Sequence, residues 1–305
     1  MWVGFGVLVV TVLAIDLGLF NRKAHVPTFR EAALWSLVWV SLAVLFGAWV
    51  FISDGFELGI QFASGYLVEL SLSVDNVFLF AVIFGHFGIE RRYQHRLLFW
   101  GIIGAVVMRG IMIAAGTALI NRFNWIVVLF GVFLIWTGIR MLMHRNRKAD
   151  VGDMAVLRLL RRYFKITDTY DGQKFFTKIN GVRHATPLFV VLVLVELTDL
   201  MFAIDSIPAV LAISRDPFIV FTSNVFAILG LRSFYFLLAG VMELFEYLTV
   251  GLAGVLVFVG IKMLGIWHIP TIWSLAVIVL LLGSAVGASL IKARRGKRLS
   301  TSGAD

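Results

Sequence analysis

Cysteine is absent from the chain, which excludes disulfides, thiolate metal sites and a cysteine nucleophile and leaves the redox compartment open. Any metal must therefore be held by oxygen or imidazole. Charge is also scarce: 15% of the 305 residues are charged, where an ordinary soluble domain carries about 25%. No P-loop occurs, so nucleotide-driven chemistry has no recognisable seat. The Gly-x-Gly-Asp and Gly-x-Ser-Gly patterns of intramembrane proteases are missing as well, and no enzymatic activity or organic cofactor is expected.

What is present is apolar, with 60% hydrophobic residues. Stretches of roughly 20 such residues recur from end to end, each long enough to cross a hydrocarbon core of about 30 Å as a helix. Helices are required because lipid offers unpaired backbone groups no partner. The expected class is an all-α polytopic membrane protein whose main partner is the bilayer. Nine spans are read at about 2–20, 33–52, 62–84, 97–120, 125–143, 187–212, 217–240, 246–266 and 271–291.

The net charge of +9 does not point to nucleic acid, because the basic residues gather in alternate connections. Arg22, Lys23 and Arg30 follow the first span, Arg91, Arg92 and Arg96 the third, a long basic segment the fifth, and Lys292, Arg294 and Arg295 the last. The opposite connections hold only Arg122 and Arg215. Basic loops stay cytoplasmic, so the amino terminus is expected outside, the carboxyl terminus inside, and the first span as an uncleaved helix. Within the basic segment, Leu157 to Lys165 reads as an amphipathic helix. Asn180-Gly181, between Phe175–Ile179 and Val182–Thr186, reads as a β-hairpin turn.

The chain echoes itself. Gly138-Ile139-Arg140-Met141-Leu142 late in span five matches Gly260-Ile261-Lys262-Met263-Leu264 late in span eight, and Arg109 and Arg232 lie at matching places one span earlier. Each unit has three spans, so its copy crosses in the opposite sense, as an inverted repeat. The expected divisions are two amino-terminal spans (1–61), a first unit (62–143), a cytoplasmic segment (144–186), an inverted second unit (187–266), and a last span with a basic tail (267–305).

The first helix of each unit is acidic. Span three carries Glu69, Asp75 and Asn76; span six carries Glu196, Asp199 and Asp205. A carboxylate at the bilayer centre costs at least about 2.5 kcal/mol, so ions, protons or arginines must compensate this group, with Arg109 and Arg232 as expected counter-charges. Ser73, Thr198 and Ser206 add hydroxyls. Pro208 lacks an N–H and is expected to break or kink the helix and free the carbonyl of Ile204 as a further ligand. Hard oxygen ligands suit Mg²⁺, Ca²⁺ or Mn²⁺ and do not choose among them. The six histidines fall near span ends or in loops.

Three segments, Glu69 to Asn76, Val195 to Ala209 and Thr222 to Gly240, together with the Asn-Gly hairpin, give the chain a resemblance to the TerC family of integral membrane proteins, and within it to the Alx-type manganese exporters. That resemblance implies Mn²⁺ efflux across a bacterial inner membrane, with Glu69, Asp75, Asn76, Glu196, Asp199 and Asp205 along the path. Uphill export needs coupling, and exchange against protons is expected. The alternative is a non-transporting metal sensor or membrane-protein assembly factor.

Overall fold

The computed structural model of the chain describes residues 1–18, 28–123, 125–143, 160, 162–167, 169–179, 181–238, 247–265 and 269–302. In chain order come helices α1 (Trp2–Gly18), α2 (Phe29–Ser53), α3 (Phe56–His86), α4 (Arg91–Arg122) and α5 (Trp125–Met143). A hairpin of β1 (Phe176–Ile179) and β2 (Val182–Ala185) follows. Then come α6 (Pro187–Ile213), α7 (Pro217–Leu229), α8 (Leu231–Leu238), α9 (Leu248–Met263) and α10 (Thr271–Ser302). With α7 and α8 taken together, seven of these among the described residues are long and apolar enough to cross a membrane, and two shorter apolar helices lie at Trp2–Ala14 and Leu248–Met263. Seven of the nine expected spans fall on the longer helices and those at 2–20 and 246–266 on the shorter pair; the protein is an all-α polytopic membrane protein.

Local chemistry sets the ends. Thr28 and Glu31 form a capping box that starts α2, satisfying two backbone donors reciprocally. Pro217 opens α7 behind Asp216, whose Oδ1 accepts from the N–H groups of Phe218 and Ile219. Pro187 opens α6 in the same first-turn position, where its missing N–H costs nothing. Ile179 pairs with Val182 across a two-residue turn whose Gly181 has φ 80°, a conformation open to glycine. The hairpin is thus as expected to within a residue at its outer ends. The amphipathic helix expected at 157–165 lies mostly outside the described residues.

One expectation about α6 is corrected. The helix runs uninterrupted from Pro187 to Ile213 with Pro208 inside it. Ser206 to Leu211 are all buried, and packing of α6 against α3, α4 and α5 holds the backbone helical where one hydrogen bond is lost. Membrane helices tolerate proline on these terms.

Helix α7 runs through the middle of the bundle, with every residue from Phe218 to Leu229 except Phe221 buried. Around it stand α2, α3 and α4. Apolar side chains such as Leu37, Leu45, Ile52, Ile111, Val132 and Leu280 project outward from the surrounding helices, the arrangement that lipid solvates and water does not. Helices α5 and α9 pack closest of all. A Cβ on Gly138 would lie 2.8 Å from the carbonyl oxygen of Ala253, so only glycine lets the two backbones approach this far.

Candidate ion site

Glu69, Ser73 and Asn76 are spaced by four and three residues on α3 and share one helical face. All three are buried, Glu69 completely. Facing them is Asp199 of α6, 2% exposed. Arg109, near the middle of α4 and 1% exposed, joins the two acids. Its Nη1 pairs with Glu69 Oε1, its Nη2 donates to Asp199 Oδ1 at 2.9 Å, and its Nε donates to Asp199 Oδ2 at 3.1 Å. Asn76 Nδ2 donates to the same Asp199 Oδ1 at 3.2 Å. Asn224 of α7 accepts from Arg109 Nη1 at 3.2 Å.

The side chains that reading by sequence treats as one constellation are separated by the turn of α6. Glu196, three residues before Asp199, lies against α4, where Gly104 leaves a notch: a Cβ there would fall 2.1 Å from Glu196 Oε1. Asp205 points to α5 and accepts a hydrogen bond from Thr137 Oγ1 at 3.3 Å. Thr198 and Ser206 are buried on α6, and the Ile204 side chain is exposed. Arg232 of α8 lines the small cavity that Asp199, Gly101 and Val195 also line. The backbone of Asp75 continues α3, and its side chain lies outside the described residues. Among the described residues, no three acidic or histidine side chains gather closely enough to hold a metal ion. Arg109 joins Glu69 to Asp199, and Glu196 and Asp205 lie outside that network.

Several buried oxygens beside this network have no protein hydrogen-bond partner: Glu69 Oε2, Ser73 Oγ, Asn76 Oδ1, Glu196 Oε2 and Ser206 Oγ. Buried polar atoms are rarely left so, and the majority of these are acceptors suited to a hard cation or a water. Removing one member of a buried ion pair costs about 3–5 kcal/mol, so Arg109 both holds α3, α4 and α6 together and fixes the charge between them.

A second polar region lies at the far end of α6. Glu57, Gln61, Arg215, Asp216, Lys262 and Thr271 line a vestibule of about 670 Å³ whose floor includes Ile120, Val127 and Leu211. Glu57 Oε1 accepts from Gln61 Nε2 at 3.3 Å and also from Thr271 Oγ1. Sequence reading gave Thr137, Gly104 and Asn224 no role. A glycine within a helix beside a lone buried acid is the one signal that could have found the notch.

Residues 55–297 match the model of the "Integral membrane protein TerC family". An uncharacterized membrane protein of Myxococcus xanthus, STKORF319, is 54% identical over 296 residues, covering 96% of this chain and 93% of the relative. Alx of Escherichia coli (strain K12), whose name proposes a membrane-bound redox modulator, is 49% identical over 289 residues, covering 91% of this chain and 90% of Alx. An uncharacterized membrane protein of Rickettsia bellii is 39% identical over 294 residues, 95% of this chain and 97% of its own length. No solved structure matches the chain significantly. The match over most of the sequence, together with the apolar helical bundle, makes this chain a member of the TerC family of integral membrane proteins.

Proposed function

We propose that the protein carries a divalent metal cation across the bacterial inner membrane, with Mn²⁺ exported from the cytoplasm in exchange for protons. One observation carries the reading: Glu69 and Asp199, from the first helices of the two units, are bridged by Arg109 in the buried interior beside unpartnered oxygens of Glu69, Ser73 and Asn76. Such oxygens fit Mg²⁺, Ca²⁺ or Mn²⁺ as substrate, and the motif resemblance selects manganese. Asp75, Glu196 and Asp205 are further stations of the path, with Thr198, Ser206 and the Ile204 carbonyl as supporting ligands and Arg109 and Arg232 as counter-charges.

The inverted repeat supports alternating access. In the repeat Gly138 corresponds to Gly260, and counting back seven residues makes Gly131 correspond to Ala253. The close contacts of α5 with α9 pair Gly131 with Gly260 and Gly138 with Ala253, so exchanging the units turns one contact into the other. A two-fold axis in the membrane plane gives this relation.

Moving a divalent cation out of an inside-negative cell costs about 4.6 kcal/mol at 100 mV. Protons can supply it, and Glu196, held in its notch with Oε2 unpartnered, is a carboxylate placed to carry one. With no cysteine the chain has no thiol–disulfide couple, so a redox role such as the name of Alx proposes would here act through the metal moved.

The test is ion flux into proteoliposomes of the purified chain, for Mn²⁺ beside Mg²⁺ and Ca²⁺, with Asp75→Asn as the inactive comparison. Selective Mn²⁺ movement that shifts protons and disappears in the variant is the expected result. Folded, inserted protein that moves no cation would replace this reading with a metal sensor or an assembly factor.

A further inference from the structure

Both oxygens of Asp199 are already taken. The Arg109 fork holds Oδ1 through Nη2 and Oδ2 through Nε, and Asn76 adds a bond to Oδ1. On the opposite helix, Glu69 Oε2, Ser73 Oγ and Asn76 Oδ1 keep their accepting capacity unspent. The guanidinium therefore closes both oxygens of the α6 acid, while on α3 it takes only Glu69 Oε1 and leaves Oε2 open to a cation.

We propose that Arg109 is the resident rival of the transported cation: guanidinium and metal ion exchange for Asp199, and each loading of the site displaces the arginine. The inference rests on the transport reading given above. Arginine keeps its charge under all ordinary conditions, so two acids at mid-membrane are never left bare, whichever cation holds them. A displaced guanidinium also has a seat. Nη1 already contacts Asn224 Oδ1 on α7 at 3.2 Å, and Asn224 is fully buried, so the side chain can swing about that contact without leaving the bundle. Arg109 is thus a positioning residue that sets how tightly the substrate is held; it is not a ligand.

Mn²⁺ binding to the purified full-length chain, followed by loss of the electron paramagnetic resonance signal of free Mn²⁺, tests this with two variants. Arg109→Lys keeps the charge and removes the fork; the expected result is Mn²⁺ held about tenfold more tightly or better. Asn224→Leu removes the alternative seat; the expected result is Mn²⁺ held several-fold more weakly. A merely structural arginine would lower the melting temperature of Arg109→Lys without tightening binding, and that outcome overturns the proposal. If Arg109→Lys does not fold, Asn224→Leu decides: unchanged affinity there refutes the exchange. An unaltered chain that binds no Mn²⁺ defeats the transport reading and this inference together, whereas normal binding with both variants unchanged defeats only the inference.

Discussion

Gly131 on α5 and Gly260 on α9 touch backbone to backbone: a Cβ on Gly131 would lie 2.9 Å from the carbonyl oxygen of Gly260, and a Cβ on Gly260 would lie 2.7 Å from that of Gly131. Neither neighbour is a flexible side chain, so a methyl group can enter only by driving the helices apart. Gly131→Ala and Gly260→Ala are each expected to destabilise the protein by about 1–3 kcal/mol, read as a lower melting temperature in detergent. Gly283→Ala on α10, where a Cβ meets nothing within 4 Å, should leave it unchanged.

Gly104→Ala addresses the notch of Glu196. The added carbon would fall 2.1 Å from Glu196 Oε1, and the carboxylate at the end of its side chain would yield before the helices do. We expect folded protein at near-normal yield with proton movement per Mn²⁺ disturbed and flux down about tenfold. Normal flux and normal proton movement in proteoliposomes would remove Glu196 from the path.

Asp205 allows its charge and its hydrogen bond to be separated. Asp205→Asn removes the charge and is expected to abolish Mn²⁺ flux while the protein still inserts. Thr137→Val removes only the donor at 3.3 Å, a neutral bond to a charged group worth about 1.5–3 kcal/mol at most, and should reduce flux without abolishing it. Equal flux in both variants would show that the charge of Asp205 is not used.

Outside the membrane, Asp171 ties the start of the hairpin. Its Oδ2 accepts from Thr177 Oγ1 at 2.8 Å and from Lys174 Nζ at 3.0 Å, and these bonds hold the carboxyl below its ordinary value of 3.8. A depressed acid contributes stability above its unfolded value and loses that contribution as pH falls through the folded one. Protection of the β1 and β2 amides, taken relative to the intrinsic exchange rate, should therefore fall on acidification below pH 3.8. In Asp171→Asn that protection should be lower at neutral pH and lose this dependence.

The spans were legible because a bilayer leaves the chain few choices: about 20 apolar residues, helical, with basic connections on one side. The hairpin was legible for the same kind of reason, since Asn180-Gly181 between alternating residues suits one turn. The ion network was legible only as a list of members. Arg109 lies 40 residues from Glu69 and 90 from Asp199, and nothing local says which helix its fork will face. That Asp205 faces away from Glu196 and Asp199 follows from its spacing along α6; that Glu196 meets Gly104 of α4 and Asp205 meets Thr137 of α5 depends on how α6 is rotated against them, a matter of packing rather than pattern. Pro208 does not break the helix because buried neighbours keep α6 helical through it, which its local effect alone does not reveal.

The vestibule and the hairpin sit at opposite ends of α6, whose 27 residues rise about 40 Å. In a chain that is naturally free of thiols, a single cysteine placed at Gln61 in the vestibule wall or at Lys178 on β1 is the sole target of a membrane-impermeant maleimide. Whole cells should label the first and spare the second, which reads the sidedness of the bundle directly. Protection at Gln61 that comes and goes with the ion gradient would make the same reagent a clock for the opening of that face.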